Sequence, residues 1–229
     1  MNKSTNDTIY HRPKLAYDRL LGAVAVSALF VRKDSIYKEL GVDCWDMERD
    51  ALNWPGGNPV IAHPPCRAWG QLSHMANPRS GEKELALFAI DMIRKYGGVL
   101  EHPRASRLWP EYLPMPGKVD EFGGYSISVD QFWWGHKAKK STLLYIVGCP
   151  IKELPAIPMR FDALQYTVSS KIKKKSGRRI LKEIPKSERE ATPIDFAKWL
   201  IKVASRCGGA IAPNVLAVGS VRIINGKLK

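Results

Sequence analysis

SGEKELALFAIDMIRKYGGVLEHP, residues 80–103, changes from one hydrophobic period to another across two glycines. Leu85, Phe88, Ala89, Met92, Ile93 and Tyr96 recur at three- and four-residue steps, which lines one face of an α-helix. Arg94 and Lys95 suit the negative C-terminal end of that helix, and Gly97 and Gly98 stop it. GVLE (98–101) then reads as a strand. A helix from residue 80 to about 96 that feeds directly into a strand is half of a strand-helix-strand unit.

The neighbouring segments extend the same alternation. Upstream, VAVSALFV (24–31) and VDCWDM (42–47) read as strands, with DSIYKEL (34–40) between them as a short helix ending at Gly41. NPVIAHPP (58–65) is a further strand, stopped by prolines that cannot continue a ladder. Downstream, STLLYIVG (141–148) is one more. A last helix starts at Thr192, with Pro193 at its first position and Asp195 as a capping partner, and ends before Cys207. Strands alternating with helices predict an α/β fold, Rossmann-like, with a mostly parallel sheet and helices on both faces.

The 229 residues have room for one domain plus arms. Residues 1–20 read as a polar N-terminal arm, 21–207 as a single α/β domain with a basic insertion at 168–186, and 208–229 as a small, apolar tail. The chain carries 36 Lys and Arg against 22 Asp and Glu, a formal charge of +14. Such a field attracts polyanions, nucleic acid first. Residues 171–182, KIKKKSGRRILK, concentrate the charge without an acid, and Lys173, Lys174, Lys175, Arg178 and Arg179 are the candidate phosphate contacts. The competing reading is a solvated loop.

Four cysteines form no CxxC pair, no secretory signal opens the chain, and the apolar run at 22–31 is too short to span a bilayer. Reduced thiols, a cytoplasmic protein and no membrane partner are the expectation.

In open α/β sheets ligands bind at the C-terminal strand ends. HPPCRAWGQLS (63–73) puts Cys66 just past one such end, and Glu101 closes another. A cysteine attacks as its thiolate, which local positive charge favours; Arg67 is adjacent, and His63 and His74 are near. A thiolate adding to C6 of a pyrimidine, with a carboxylic acid at N3, turns C5 into a nucleophile. Glu101 needs a raised pKa, or a proton shared with the base, to serve in that way. The competing readings are an inert packed thiol and a surface carboxylate in a salt bridge. A zinc deaminase is a poor match, because Trp69 stands where a second cysteine would follow Cys66. His63, Cys66 and His102 are the remaining candidate ligands, with nothing to fix their geometry, and no metal is expected.

PPC (64–66), LEHP (100–103) and FWWGHKAKKSTLLYIVG (132–148) resemble, in order, the catalytic motifs of DNA cytosine-5 methyltransferases. SEREATPIDFAKWLIKVA (187–204) resembles a later motif of that family, so the likeness spans about residues 24–206. It implies a methyltransferase-type fold, Cys66 as nucleophile, Glu101 as the acid at N3, and Pro64 and Pro65 shaping the turn. It places Pro65, Arg67, Trp69, Lys137, Lys139, Lys140 and Thr142 on the DNA side, although the family's Gln-x-Arg-x-Arg pattern is absent. Trp69 is the candidate to stack on a displaced base.

The resemblance also implies S-adenosylmethionine as cofactor, near Phe30, Arg32, Asp46 and Glu48. The family's glycine-rich turn has no counterpart, since no glycine stands between Phe30 and Gly41. Only residues 149–190 occupy the place of a target-recognition domain, which implies DNA read loosely or as single strands, and a phage or prophage modification enzyme acting in a bacterial host. Two alternatives stand beside this. The PPC followed by Gln71 also resembles the active-site strand of thymidylate synthases, which points to pyrimidine modification with another donor. The other is a catalytically inactive nucleic-acid-binding protein of the same fold.

Overall fold

A computed structural model describes residues 25–71, 73–168 and 181–207. Six strands form the central sheet: β1 (Ser27–Leu29), β2 (Asp43–Trp45), β3 (Val60–Ala62), β4 (Gly98–Pro103), β5 (Tyr125–Asp130) and β6 (Ser141–Val147). Their order is β2-β1-β3-β4-β6-β5. The first four are parallel, and β6 runs antiparallel to both β4 and β5. The protein is therefore an α/β molecule with a mostly parallel sheet.

Alternation along the strands sends successive side chains to opposite faces. Ala28, Ile61, Val99, Leu144 and Ile146 pack on one face with Phe196, Leu200 and Val203 of the last helix, α5 (Ile194–Arg206). Leu29, Val60, Ala62, Leu100 and Tyr145 pack on the other with Ala86, Ala89, Ile90 and Ile93 of α2 (Glu82–Tyr96). The short α1 (Ile36–Glu39) joins the α5 side through Tyr37, with Ser35 as its N-cap. Runs apolar on both faces, such as VIA at 60–62, follow from this two-sided cover.

The glycine pair does more than end α2. Gly97 takes φ 76°, and its N–H closes the last helical turn on the Ile93 carbonyl at 2.9 Å. Gly98, at φ 132°, lies so close to β3 that an added Cβ would meet the Val60 oxygen at 2.0 Å.

Several expectations are corrected. The strands are shorter at their N-terminal ends than the apolar runs, because entry segments such as 24–26 and 58–59 lie outside the ladder or the described residues. Strand β5 and the helix α3 (Leu108–Tyr112) were not expected, although YSISVD alternates apolar and polar residues directly after Gly123 and Gly124, which is itself a strand pattern. Pro193 occupies the N-cap of α5 rather than its first turn, and Asp195 makes no capping bond. What fixes α5 instead is aromatic packing: Trp134 lies 4.9 Å from Phe196 and 5.3 Å from Trp199, ring centre to ring centre.

Beyond the sheet, β7 (Tyr166–Thr167) pairs in parallel with β8 (Lys182–Glu183), and α4 (Lys186–Glu190) follows. The expected phosphate contacts Lys173, Lys174, Lys175, Arg178 and Arg179, the 1–20 arm and the 208–229 tail lie outside the described residues. Among the described residues no helix is long and apolar enough to cross a membrane.

Candidate active site

Strands β1 to β4 end at one edge, β5 ends there too, and the antiparallel β6 begins there. Topology thus gathers the segments after Leu29, Trp45, Ala62 and Asp130, the end of β4 and the start of β6. In register, Ala62 pairs with Leu100, which sets His63 beside Glu101 across the β3–β4 boundary.

Glu101 is held by three side chains. His63 Nδ1 lies 3.1 Å from its Oε2. Gln131 Nε2 donates to Oε1 at 2.8 Å. Thr142 Oγ1, which accepts from Gln131 at 3.1 Å, stands 3.3 Å from the same oxygen. Burial alone raises the Glu101 carboxyl, but the His63 hydrogen bond and the positive charge of Lys140 outweigh it and hold the group at about 2. Glu101 is therefore ionised at rest, which corrects the expected raised pKa: a polar cage, absent from the strand sequence itself, surrounds it.

Cys66 stands exposed at the head of a 3-10 turn spanning Arg67–Trp69. The desolvating protein around the thiol and the Glu101 charge push its pKa up, against the pull of its own backbone amide and of Lys140. Arg67 interacts with Cys66 only through space, and its guanidinium grips Glu82 through two nitrogens, Nε at 2.9 Å, so it stands beside the sulfur as half of an ion pair rather than as a free charge. His63 likewise faces Glu101 and Tyr37.

Trp69 is corrected too. It is fully buried, donates to the Lys83 carbonyl at 3.1 Å, and offers no face to a base. Thr142, also fully buried, orients Glu101 rather than meeting DNA. Lys137 is exposed and paired with Glu188 of α4 at 2.8 Å; Lys139 is exposed, and Lys140 is half-buried with its charge on the site. Pro64 is buried and Pro65 half-buried behind Cys66.

The residues expected around S-adenosylmethionine do not fit it as they stand. Asp46 is buried and held by Lys38 at 2.6 Å and by the N–H groups of Glu48 and Arg49 at 3.0 and 3.1 Å. Arg32 is clasped by Asp34 at 2.7 Å and faces Glu190 at 3.6 Å. Phe30 supplies the left-handed turn, φ 58°, that a glycine would make without strain, and its ring packs on Phe88. The Glu48 side chain is exposed, and its backbone N–H is the group bonded to Asp46.

Gln131 and Tyr37 are site residues that the sequence did not reveal. Gln131 precedes the quoted FWWG segment by one position, and nothing in its neighbours marks it as a partner of Glu101. Among the described residues no three His, Cys, Asp or Glu side chains gather as a metal site.

No family model, curated protein or solved structure matches the chain.

The Glu101 cage has a measurable consequence. A carboxyl held near 2 in the folded protein, against about 4.3 in an unfolded chain, adds stability that is complete above about pH 5 and is lost as pH falls towards 2. Glu101→Gln flattens that acid limb in urea melts collected across the interval. Part of the limb persists, because Asp46 is also held at about 2 by its Lys38 hydrogen bond. A limb identical to that of the wild type shows that Glu101 is not caged in solution.

Proposed function

We propose that the protein is a DNA cytosine-5 methyltransferase-like enzyme of Rossmann-like fold, which activates cytosine at C5 by adding the Cys66 thiolate to C6. One observation carries the reading: an exposed cysteine and an ionised, caged carboxylate stand at the ends of adjoining strands, near enough for the Glu101 charge to act on the thiol. A carboxylate accepts about four hydrogen bonds, and His63, Gln131 and Thr142 account for three. The remaining direction suits the N4 amino group or a protonated N3 of cytosine. Lys140 adds positive charge beside an anionic strand, and Lys139 and the +14 field attract the phosphates. In duplex DNA the base must leave the stack to reach Cys66.

C6 addition is testable without knowing the donor. A C6 adduct makes C5 an enamine carbon that takes a proton from solvent, so reversal of the adduct exchanges the C5 hydrogen. Incubating a single-stranded cytosine oligonucleotide with the protein in heavy water, followed by mass spectrometry, is expected to show deuterium at C5. Glu101→Gln slows the exchange by about 100-fold, the scale of lost acid-base assistance. No exchange with retained DNA affinity favours the second reading, a binding protein of the same fold, which the raised Cys66 thiol supports.

The donor is the part of the family reading that the geometry supports least. With Asp46 and Arg32 occupied, calorimetric titration with S-adenosylmethionine is expected to show no micromolar binding, and the electrophile at C5 is then of another class. Micromolar binding restores methyl transfer as the reaction.

A further inference from the structure

The Glu101 cage contains a group whose role the C6 addition does not define. His63 bridges two partners: Nδ1 faces Glu101 at 3.1 Å, and Nε2 faces the Tyr37 hydroxyl at 3.0 Å. Tyr37 is buried at 1% exposure and comes from α1 on another element, packing its ring 5.4 Å from the imidazole. His63 thus has both nitrogens fixed, by a carboxylate that only accepts and by a hydroxyl that both donates and accepts. Such a site holds the imidazole in either protonation state. When it is neutral, Nδ1–H donates to Glu101 and the Tyr37 hydroxyl donates to Nε2. When it is charged, the hydroxyl turns and accepts from Nε2–H.

This matters because the ionised Glu101 has no proton of its own to give. We infer that His63 is a positioning residue that supplies, through Glu101, the proton that N3 of the target base takes up. The inference rests on the proposed C6 addition. The thiol proton leaves Cys66 to solvent, and the sulfur pair forms the S–C6 bond. The C5=C6 pair moves into the ring as N3 gains the proton from Glu101 Oε2. The imidazolium Nδ1 proton moves to Glu101 in turn, leaving neutral His63 as the Nε2–H tautomer, still donating to the Tyr37 hydroxyl. Thiolate, imidazolium, carboxylate and neutral base become a neutral adduct, neutral imidazole and carboxylate, so the site charge is unchanged.

The charged or titratable groups around this pair are Tyr37 of α1, on which Cys44 of β2 acts in turn, Cys66, His102 beside Glu101, and Lys140 before β6. Burial of His102 lowers it to about 4, so it carries no charge at neutral pH and does not take His63's part. Burial, with the Glu101 charge adding to it, pushes the Tyr37 hydroxyl well up, so it turns without ionising.

The pH dependence of C5 exchange separates proton supply from simple support. Exchange in the wild type takes one proton off the thiol and delivers one, through His63, to N3, so the two requirements oppose each other in pH and the profile flattens below the thiol's own titration. In His63→Gln the amide still reaches Glu101 but carries no proton to give. Its exchange rate is expected to climb about tenfold per pH unit below the thiol's own titration, with no plateau. A plateau retained in His63→Gln overturns the inference while leaving C6 addition intact. Absence of exchange in the wild type overturns both. Independently, 15N NMR of the resting protein is expected to show neutral His63 as the Nδ1–H tautomer, shifting towards a mixture in Glu101→Gln. An Nε2–H tautomer in the wild type overturns the relay whatever the exchange shows.

Discussion

Cys66→Ala is expected to lower C5 deuterium exchange by about 1,000-fold or more, the scale of losing a covalent nucleophile, while the thermal midpoint stays where it was. The two halves of this expectation have separate physical grounds. Without sulfur no C6 bond forms, and Glu101 alone cannot make C5 nucleophilic. The fold loses little, because Cys66 is exposed, and it is its backbone carbonyl, not its thiol, that closes the following turn by accepting from Trp69 N–H at 3.1 Å. An exposed substitution of this kind shifts stability by about 0.5 kcal/mol or less. Exchange that survives in Cys66→Ala sinks the nucleophile assignment outright. A collapsed midpoint shows instead that the thiol is structural, the inert reading of the same residue.

Gly98→Ala is expected to be the most damaging single-methyl change in the described core, costing more than about 4 kcal/mol and leaving little of a stability of about 5–15 kcal/mol. The new Cβ would stand 2.0 Å from the Val60 oxygen and 2.6 Å from its nitrogen, both backbone atoms of β3 that no rotamer change removes. The residue would also have to hold φ 132°. Relief requires β3 and β4 to part, and these are the two strands that deliver Cys66 and Glu101. Gly81→Ala is the control: it too has a positive φ, 75°, but nothing lies within 4 Å of the added carbon, and a cost near 1 kcal/mol is expected. Urea melts followed by circular dichroism distinguish the two, and equal losses show that the close β3–β4 approach is not what Gly98 serves.

The contrast between Glu101 and Trp69 shows how far residue order carries. Both stand in quoted motifs near strand ends, and sequence alone treats them alike. The structure turns one into the centre of a polar cage and buries the other behind α2, with its indole N–H on a backbone carbonyl. Arg67 tells the same story, since an arginine beside a cysteine becomes the partner of a glutamate fifteen residues on.

What the sequence determined by itself is the local and periodic part. The 3.6-residue apolar spacing of α2, the two-sided apolar runs of β1, β3 and β6, and the glycine stop at 97 and 98 are properties of neighbouring residues, legible because burial must repeat with the backbone period. These, with the rule that ligands meet the C-terminal strand ends, bring Cys66 and Glu101 to one edge. Only the tertiary structure decided the antiparallel place of β6, the cage of His63, Gln131 and Thr142, and the state of the two reacting groups. The bonds of that cage join residues 11 to 41 apart along the chain, and a pKa answers to the charges and donors gathered around a group in space rather than to its neighbours in order.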